Sequence, residues 1–521
     1  MGIKRFAGNR QLNVLAIVVL MATLLLQGCS GSGDNAKSNG EGNAKGETMS
    51  TDVVVVGSGA TGMSASIQAK QLGLDVIMLE KNGSLGGSSN SAEGYGGINT
   101  NFAKKQGIHY DVKKVFKEAQ DFHHWATNPE LLMKYYQSSG ETGNWLESLG
   151  VKFDMLAPNG TNKFNTWHLY HRDQPTTNSL VASLSDNAKK LGVKIMLETR
   201  GKELIMKDGK VAGIKAEKSD GGTLSIKAPV VILATGGYAN NPKMIEKYAK
   251  IDGDVVVDVG VPGRTGDGIN MALKVGASDK RLKGTLMNFG AAMKGQPTYG
   301  PINMVGWMPL LKVNQEGFRF EDESVVERDW GTAGNAQKQQ GYVYHIVTKD
   351  TLDGFIKNGF PTWTNKMPNF YDDLNKALEK NKDSVFKADT LEELADKMKI
   401  DKANLEATVN KWNEFAKTGV DKDFGLPAKY LYPVEKGPYY GFKFGLGIFA
   451  TTDGLEVTPD AQVLDKKGKV IPGLYAGGGD AGGLNGETYD VNIVPGSQQG
   501  WAVNSGRFAA KDAKRYIGEI N

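Results

Sequence analysis

Cysteine is nearly absent from this 521-residue chain; Cys29 is the only one. A single thiol excludes an intrachain disulfide, a CxxCH haem attachment and a cysteine-ligated iron–sulfur cluster. Histidine is scarce as well. His109, His123, His124, His168, His171 and His345 lack the spacing of a zinc site. His123 and His124 are adjacent on a predicted helix and so face different ways. The chain therefore brings no metal of its own to any redox chemistry. An excess of either charge is also missing: 62 Lys and Arg against 58 Asp and Glu leave +4, too balanced for a nucleic-acid partner. Beyond the N-terminal leader no run is long and apolar enough to span a bilayer.

What is present starts with an address. MGIKRFAGNR is a basic n-region without a twin arginine, and LNVLAIVVLMATLLL is an apolar run of signal-peptide length. In LLQGC, Leu26 lies three residues before Cys29 and Gly28 directly before it, as in a bacterial lipobox. The expectation is a signal peptide over 1–28, with Cys29 acylated and the protein lipid-anchored on the extracytoplasmic face of the cell membrane. SGSGDNAKSNGEGNAKGETMS follows, polar and without aromatics, and reads as a disordered tether over 29–50. The remainder is long enough for two or three domains, and 40% apolar residues supply a large core.

The most informative stretch is TDVVVVGSGATGMSASIQAKQLGLDVIMLEK. Val53–Val56 predicts a buried strand, Met63–Leu72 a helix, and Asp75–Leu79 a second strand ending at Glu80. Between them Gly57, Gly59 and Gly62 form GxGxxG with Ala60 inside it. Gly57 permits the tight turn, Gly59 lets the backbone approach a pyrophosphate, and Gly62 lets helix and strand pack closely. The helix N-terminus faces the phosphates, and Glu80 accepts from ribose hydroxyls. SGAT at Ser58–Thr61 is also a short flavin-attachment pattern, but here Thr61 has a sufficient role in the phosphate loop. A second Gly/Ser-rich loop follows, NGSLGGSSNSAEGYGGIN, with Gly86, Gly87, Ser88, Ser89, Asn90, Gly96 and Gly97. A nicotinamide site has no need of this loop, whereas the long flavin of FAD does. Three later runs fit the same cofactor. VVILATGGYANN is a strand ending at Gly236. RTGDGINMALKVGA has Asp267 as a helix cap placed for a flavin hydroxyl. GLYAGGGDAGG carries Asp480. A C-terminal helix starting at Ser497 aims its positive end at the flavin ring.

Together these runs resemble the fumarate reductase, flavocytochrome c and urocanate reductase family of FAD flavoproteins, with 3-ketosteroid dehydrogenases as relatives. The family's haem and FMN-attachment domains have no counterpart here. The resemblance implies an α/β architecture: a Rossmann-like FAD-binding domain over 51–285 and 440–521, interrupted by an α+β capping domain over 286–439. In the cap, KADTLEELADKMKIDKANLEATVNKWNEFAKTG independently reads as two capped amphipathic helices.

The run NQEGFRF…ERD matches the family motif that carries the proton donor, which falls on Arg328. The resemblance implies hydride delivery from FAD N5 to one carbon of a polarised C=C, and a proton from Arg328 to the other. By composition alone, Arg328 pairs instead with Asp329, Glu327 or Glu323. A permanently charged guanidinium both donates to a strongly basic carbon and stabilises the enolate that forms there.

The sequence departs from a fumarate site. Phe449 or Ala450 stands where the family has a histidine, Ile493 where it has an arginine, and the region of Asn303 and Gly306 lacks its relay Glu and Arg. A dianion left without those partners is costly to enclose. Phe289, Trp307, Trp330, Tyr238 and Phe449 fall near the substrate loops instead. Thr488–Tyr489 resembles the pair of ketosteroid dehydrogenases, which makes Tyr489 a candidate donor to a substrate carbonyl. The expected function is an extracytoplasmic FAD oxidoreductase that saturates an enone, acrylate or fumarate/urocanate-type C=C in anaerobic respiration. Its electrons come from an external donor, a membrane cytochrome or flavin carrier. The alternatives are the reverse dehydrogenase reaction on a steroid-like ketone, and a lipid-anchored flavin carrier without a substrate.

Overall fold

The computed structural model describes residues 47–157, 163–173, 177–361 and 366–520. The signal peptide, Cys29 and nearly all of the tether lie outside them. The chain divides into two compact units. Among the described residues, one comprises Ile251–Val259 and Met287–Phe449; the other comprises those from Glu47 to Lys250, Gly260–Leu286 and those from Ala450 to Ile520.

The second unit is built on a six-stranded sheet. Its order is Gln462–Leu464, Val470–Ala476, Val230–Leu233, Val53–Val56, Val76–Leu79 and Lys194–Met196. All neighbours pair in parallel except the first two. VVVV, VVIL and VIML are buried at every position, as expected where helices cover both faces of a parallel sheet. Each such side chain contributes roughly 1.5–3 kcal/mol on burial. The helix Ala60–Gln71 starts directly after the first strand, three residues before the Met63 that periodicity marks. The C-terminal helix Ser497–Ile520 packs on it. Gly506 makes this close approach possible, because a Cβ there would lie 2.3 Å from the Thr61 carbonyl oxygen.

The tether reading needs one correction. Glu47–Ser50 is a strand, pairing in parallel with Thr223–Lys227 at the edge of a four-stranded sheet. It is held through main-chain bonds and keeps its polar side chains largely exposed, which composition cannot distinguish from a solvated linker. His123 and His124 are also not helical neighbours. The helix Val112–Phe122 ends before them, and His124 has φ +50°.

In the first unit the strand Tyr439–Thr451 is the hub. It pairs with Val343–Thr348, Val385–Ala388 and Val256–Asp258. Its last two residues, Ala450 and Thr451, already belong to the other unit. The two amphipathic helices are present as Leu391–Met398, capped by Thr390, and Lys402–Thr418, capped by Asp401. They end in left-handed Lys399 and Gly419.

Candidate cofactor cleft and arginine loop

A cleft opens within the second unit where the strand Val53–Val56 turns into the helix Ala60–Gln71. Its lining includes Gly57, Gly59, Ala60, Glu80, Gly87, Ser88, Ser89, Gly236 and Asp267. The glycines there do different work. Gly57 has φ +108°, and a Cβ on it would meet the Ala234 carbonyl oxygen at 2.2 Å; a Cβ on Gly62 would lie 1.8 Å from the Gly57 oxygen. Both are demanded by the protein itself. Gly59 is not. It has an ordinary backbone conformation (φ −66°, ψ −175°), and a Cβ would meet nothing nearer than 3.9 Å. Gly59 has no side chain to cap the helix; Ser89 Oγ takes the Ala60 N–H, and the other first-turn N–H groups and the positive helix end lie at the cleft that Ala60 and Thr61 line. These are the features that bind a phosphate.

Glu80 is buried at the cleft floor. Its Oε2 accepts from the Ser58 N–H at 3.0 Å and the Ser58 hydroxyl at 2.6 Å; its Oε1 accepts from the Asn82 N–H at 2.8 Å. A carboxylate has about four acceptor positions, so one remains for a ribose hydroxyl. The Ser89 hydroxyl accepts from the Ala60 N–H at 3.0 Å and ties the second glycine loop to the first.

Other expected residues are engaged by the protein itself. Asp267 does not cap its helix: the N-cap of Asp267–Lys274 is Gly266, which has no side chain. Its carboxylate accepts from Arg200 Nη2 at 2.6 Å and Nε at 3.1 Å, Lys81 Nζ at 2.9 Å and Thr265 Oγ1 at 2.9 Å. Burial pulls this carboxyl upward, but those donors outweigh it and hold it below the usual range. Its acceptor positions are filled, so the site presents the two cations that Asp267 holds. Arg200 and Lys81 line the cleft, as does buried Arg264. The sequence reading singled out none of the three.

Asp480 is fully buried and accepts from the Thr235 and Gly237 N–H groups at 2.5 and 3.0 Å, clamping the turn that carries Gly236. Gly96 packs backbone to backbone on Gly496, its N–H donating at 3.0 Å, and Gly97 makes room for the Tyr95 ring. Ser497 opens the C-terminal helix, and the cleft wall is formed by the following Gln498, Gln499 and Ala502. Tyr489 is buried, and its hydroxyl oxygen accepts from the Gly496 N–H at 2.9 Å. Burial and then neighbouring Asp490 push its phenol upward. Thr61 is buried in the helix.

The arginine loop belongs to the other unit, and there the carboxylates sort by position. Glu321 and Glu323 turn inward, to Lys312 and to Arg319. Arg319 is shared with Asp421 at 3.0 and 2.9 Å, and its guanidinium lies 4.9 Å from the Trp412 ring and 5.1 Å from Phe424. Burial raises the Asp421 carboxyl, but bonds from Arg319 and the Leu426 and Asp423 N–H groups prevail and hold it at about 2. Glu327 accepts from the Tyr430 hydroxyl, and Asp329 caps the helix Trp330–Lys338. Asp322 lies between the two inward acids and faces the other way. Asp322, an acid that composition does not single out, accepts from Arg328 Nη1 at 2.8 Å. The Arg328 side chain is 52% exposed.

Four of the five candidate aromatics meet in this unit. Ring centroids are 4.9 Å apart for Phe289–Trp307, 4.6 Å for Phe289–Phe449, and 6.3 Å for both Trp307–Trp330 and Trp330–Phe449, which closes a circuit. Tyr238 stands apart in the other unit, its hydroxyl donating to Asp453 at 2.8 Å. Asn303 is a buried turn clamp, accepting from the Met293 N–H and donating to the Gln296 and Pro297 carbonyls.

The sequence profile of the FAD binding domain family matches residues 52–489. This chain belongs to that family. A vinyl phenol reductase of Lactiplantibacillus plantarum is 35% identical over 90% of this chain and 97% of its own length. A urocanate reductase of Eggerthella lenta is 31% identical over 84% and 71%. Among solved structures, the open conformation of a flavocytochrome c3 fumarate reductase aligns with a TM-score of 0.69 at 27% identity, over 91% of this chain and 79% of that one. The protein is accordingly an FAD-dependent oxidoreductase whose family includes reductases of C=C bonds. The open Gly59 position, the positive helix end at the cleft and the residual acceptor of Glu80 fit FAD.

Proposed function

We propose that this protein saturates an activated C=C bond conjugated to an aromatic ring or carbonyl, with Arg328 as proton donor and electrons from a separate carrier. One observation carries the reading: Arg328 and Trp330 flank Asp329, an extended residue (φ −158°, ψ 101°), and Trp330 belongs to the aromatic circuit. The acid of the reaction thus adjoins a set of rings suited to a flat, uncharged substrate. Vinyl phenol, the compound in the name of the 35% identical relative, is such a molecule.

When bound, FAD supplies the hydride. Arg328 supplies the proton, and its charge is most valuable when negative charge develops on the substrate, so it raises rate more than affinity. Tyr489 is proposed as donor to a substrate carbonyl; its oxygen accepts from Gly496, which leaves the O–H proton to give. Cys29, in its lipobox-like setting, is proposed to anchor the protein on the outer face of the membrane, and labelled fatty acid on the mature chain tests this. For the activity, purified protein with reduced viologen is offered vinyl phenol, cinnamate, an enone and fumarate. Oxidation of viologen by the aromatic or enone compounds, exceeding that by fumarate, is expected. Fumarate as the best substrate, or no oxidation by any, overturns the proposal.

A further inference from the structure

An acid that gives up its proton in every turnover must recover it, and a guanidinium cannot do so from an alkene. The bonds of Arg328 name a route. Its Nη1 donates to Asp322 Oδ2 at 2.8 Å and to Ser324 Oγ at 2.9 Å. The Ser324 hydroxyl in turn donates to Asp322 Oδ1 at 2.7 Å, and the Ser324 N–H to the same oxygen at 2.9 Å. The Asp322 side chain is 18% exposed, whereas those of Glu321 and Glu323 are at 5% and 0%. Of these three acids, only Asp322 touches both the Arg328 guanidinium and solvent.

Resting on the reading of Arg328 as proton donor, we infer that Asp322 is its positioning and reprotonating partner. The Arg328 guanidinium gives a proton to the substrate carbon, the Asp322 carboxylate takes one from solvent at Oδ2, and Asp322 passes that proton to the neutral guanidine through the bond it already makes with Arg328. The net uptake is one solvent proton for each hydride delivered. Ser324 fixes the Asp322 carboxylate so that Oδ2 points at Arg328 while Oδ1 stays occupied. The direction of transfer is set by basicity, since a neutral guanidine, with a conjugate-acid pKa above ~12, outcompetes a carboxylate. Burial raises the Asp322 carboxyl, but Ser324 and Arg328 together bring it below the usual range. It therefore holds a proton only in passing.

Asp322→Asn separates this role from a structural one. The amide oxygen still accepts from the Ser324 N–H and hydroxyl, so the turn survives, but no proton can be relayed. The holoenzyme is reduced with dithionite and mixed with vinyl phenol, or with whichever alkene of the panel wild type reduces fastest. The first flavin oxidation uses the proton already on Arg328 and should stay within about threefold of wild type. Steady-state turnover with excess reduced viologen should fall roughly 100-fold, the scale of a lost acid–base group. The trace then shows a burst of one product per flavin. Asp322→Glu should restore turnover, and formate should accelerate Asp322→Ala. FAD content and melting temperature should match wild type throughout. Equal losses in both phases, or unchanged turnover, overturn the inference. Rapid first oxidation by Arg328→Gln overturns the reading beneath it, a result that does not depend on Asp322.

Discussion

Replacing Gly59 by alanine isolates the cofactor's share in the phosphate loop. At φ −66° and ψ −175° alanine is unstrained, and its methyl meets only the Gly86 oxygen and Ser89 Oγ, both at 3.9 Å. The protein without FAD should keep its stability or gain about 0.4–1 kcal/mol from the stiffer unfolded chain. Bound FAD must then accommodate a methyl where its pyrophosphate approaches the backbone. Forcing one extra carbon into a close-packed contact costs about 1–3 kcal/mol, which corresponds to binding weaker by about 5- to 150-fold. Gly62→Ala is the control with the opposite signature. Its Cβ would sit 1.8 Å from the Gly57 oxygen, so it should lower the melting temperature of the FAD-free protein itself. Thermal melts with and without FAD, with flavin-fluorescence titration, distinguish the two. Wild-type FAD affinity in Gly59→Ala, or apo destabilisation equal to that of Gly62→Ala, would refute the assignment of the cleft.

Other expectations concern the arginine loop, the rings and a buried histidine. Removing Arg319 leaves buried Glu323 and Asp421 without their shared cation, and Arg319→Ala should cost about 3–5 kcal/mol in urea denaturation. Trp330→Ala should raise KM for an aromatic alkene far more than for a small acrylate, because it opens the ring circuit; equal changes would count against an aromatic substrate. His168 is buried, with Nε2 2.6 Å from the Thr100 hydroxyl and Nδ1 2.8 Å from the Thr166 carbonyl, and burial pulls its pKa to about 4. Since the folded value lies below the unfolded one of about 6.5, His168 contributes stability above pH 6.5 and loses it as pH falls toward 4. The cost of His168→Gln should therefore shrink by about 1.8 kcal/mol between pH 7 and pH 5. A pH-independent cost would mean that folding leaves the His168 pKa unshifted, against the effect of its burial.

The phosphate loop was legible because strand, glycines, helix and acid succeed one another within thirty residues, each with a mechanical requirement of its own. The two capped helices at Leu391–Met398 and Lys402–Thr418 were legible for the same reason, since Thr390 and Asp401 are local signals. Arg200 and Lys81 were not. They reach the cleft through Asp267, which is 67 and 186 residues away, and no spacing rule links such positions. Asp267 itself was misread as a cap because Gly266 supplies the cap without a side chain. The loop around Arg328 shows a subtler limit. Composition presents a crowd of acids, and only the alternation of an extended run, with Glu321 and Glu323 buried and Asp322 turned the other way, selects the partner. The strand Glu47–Ser50 was hidden because edge pairing uses the backbone and leaves polar side chains in water.

The central claim is that Arg328 delivers the proton that completes reduction of the double bond. The most direct test is anaerobic stopped-flow mixing of dithionite-reduced holoenzyme with vinyl phenol, comparing wild type with Arg328→Lys and Arg328→Gln at equal FAD content. The account predicts rapid flavin oxidation and ethylphenol formation in wild type, with loss of nearly all of both in the variants. Variants that reoxidise their flavin within a few-fold of the wild-type rate would contradict it.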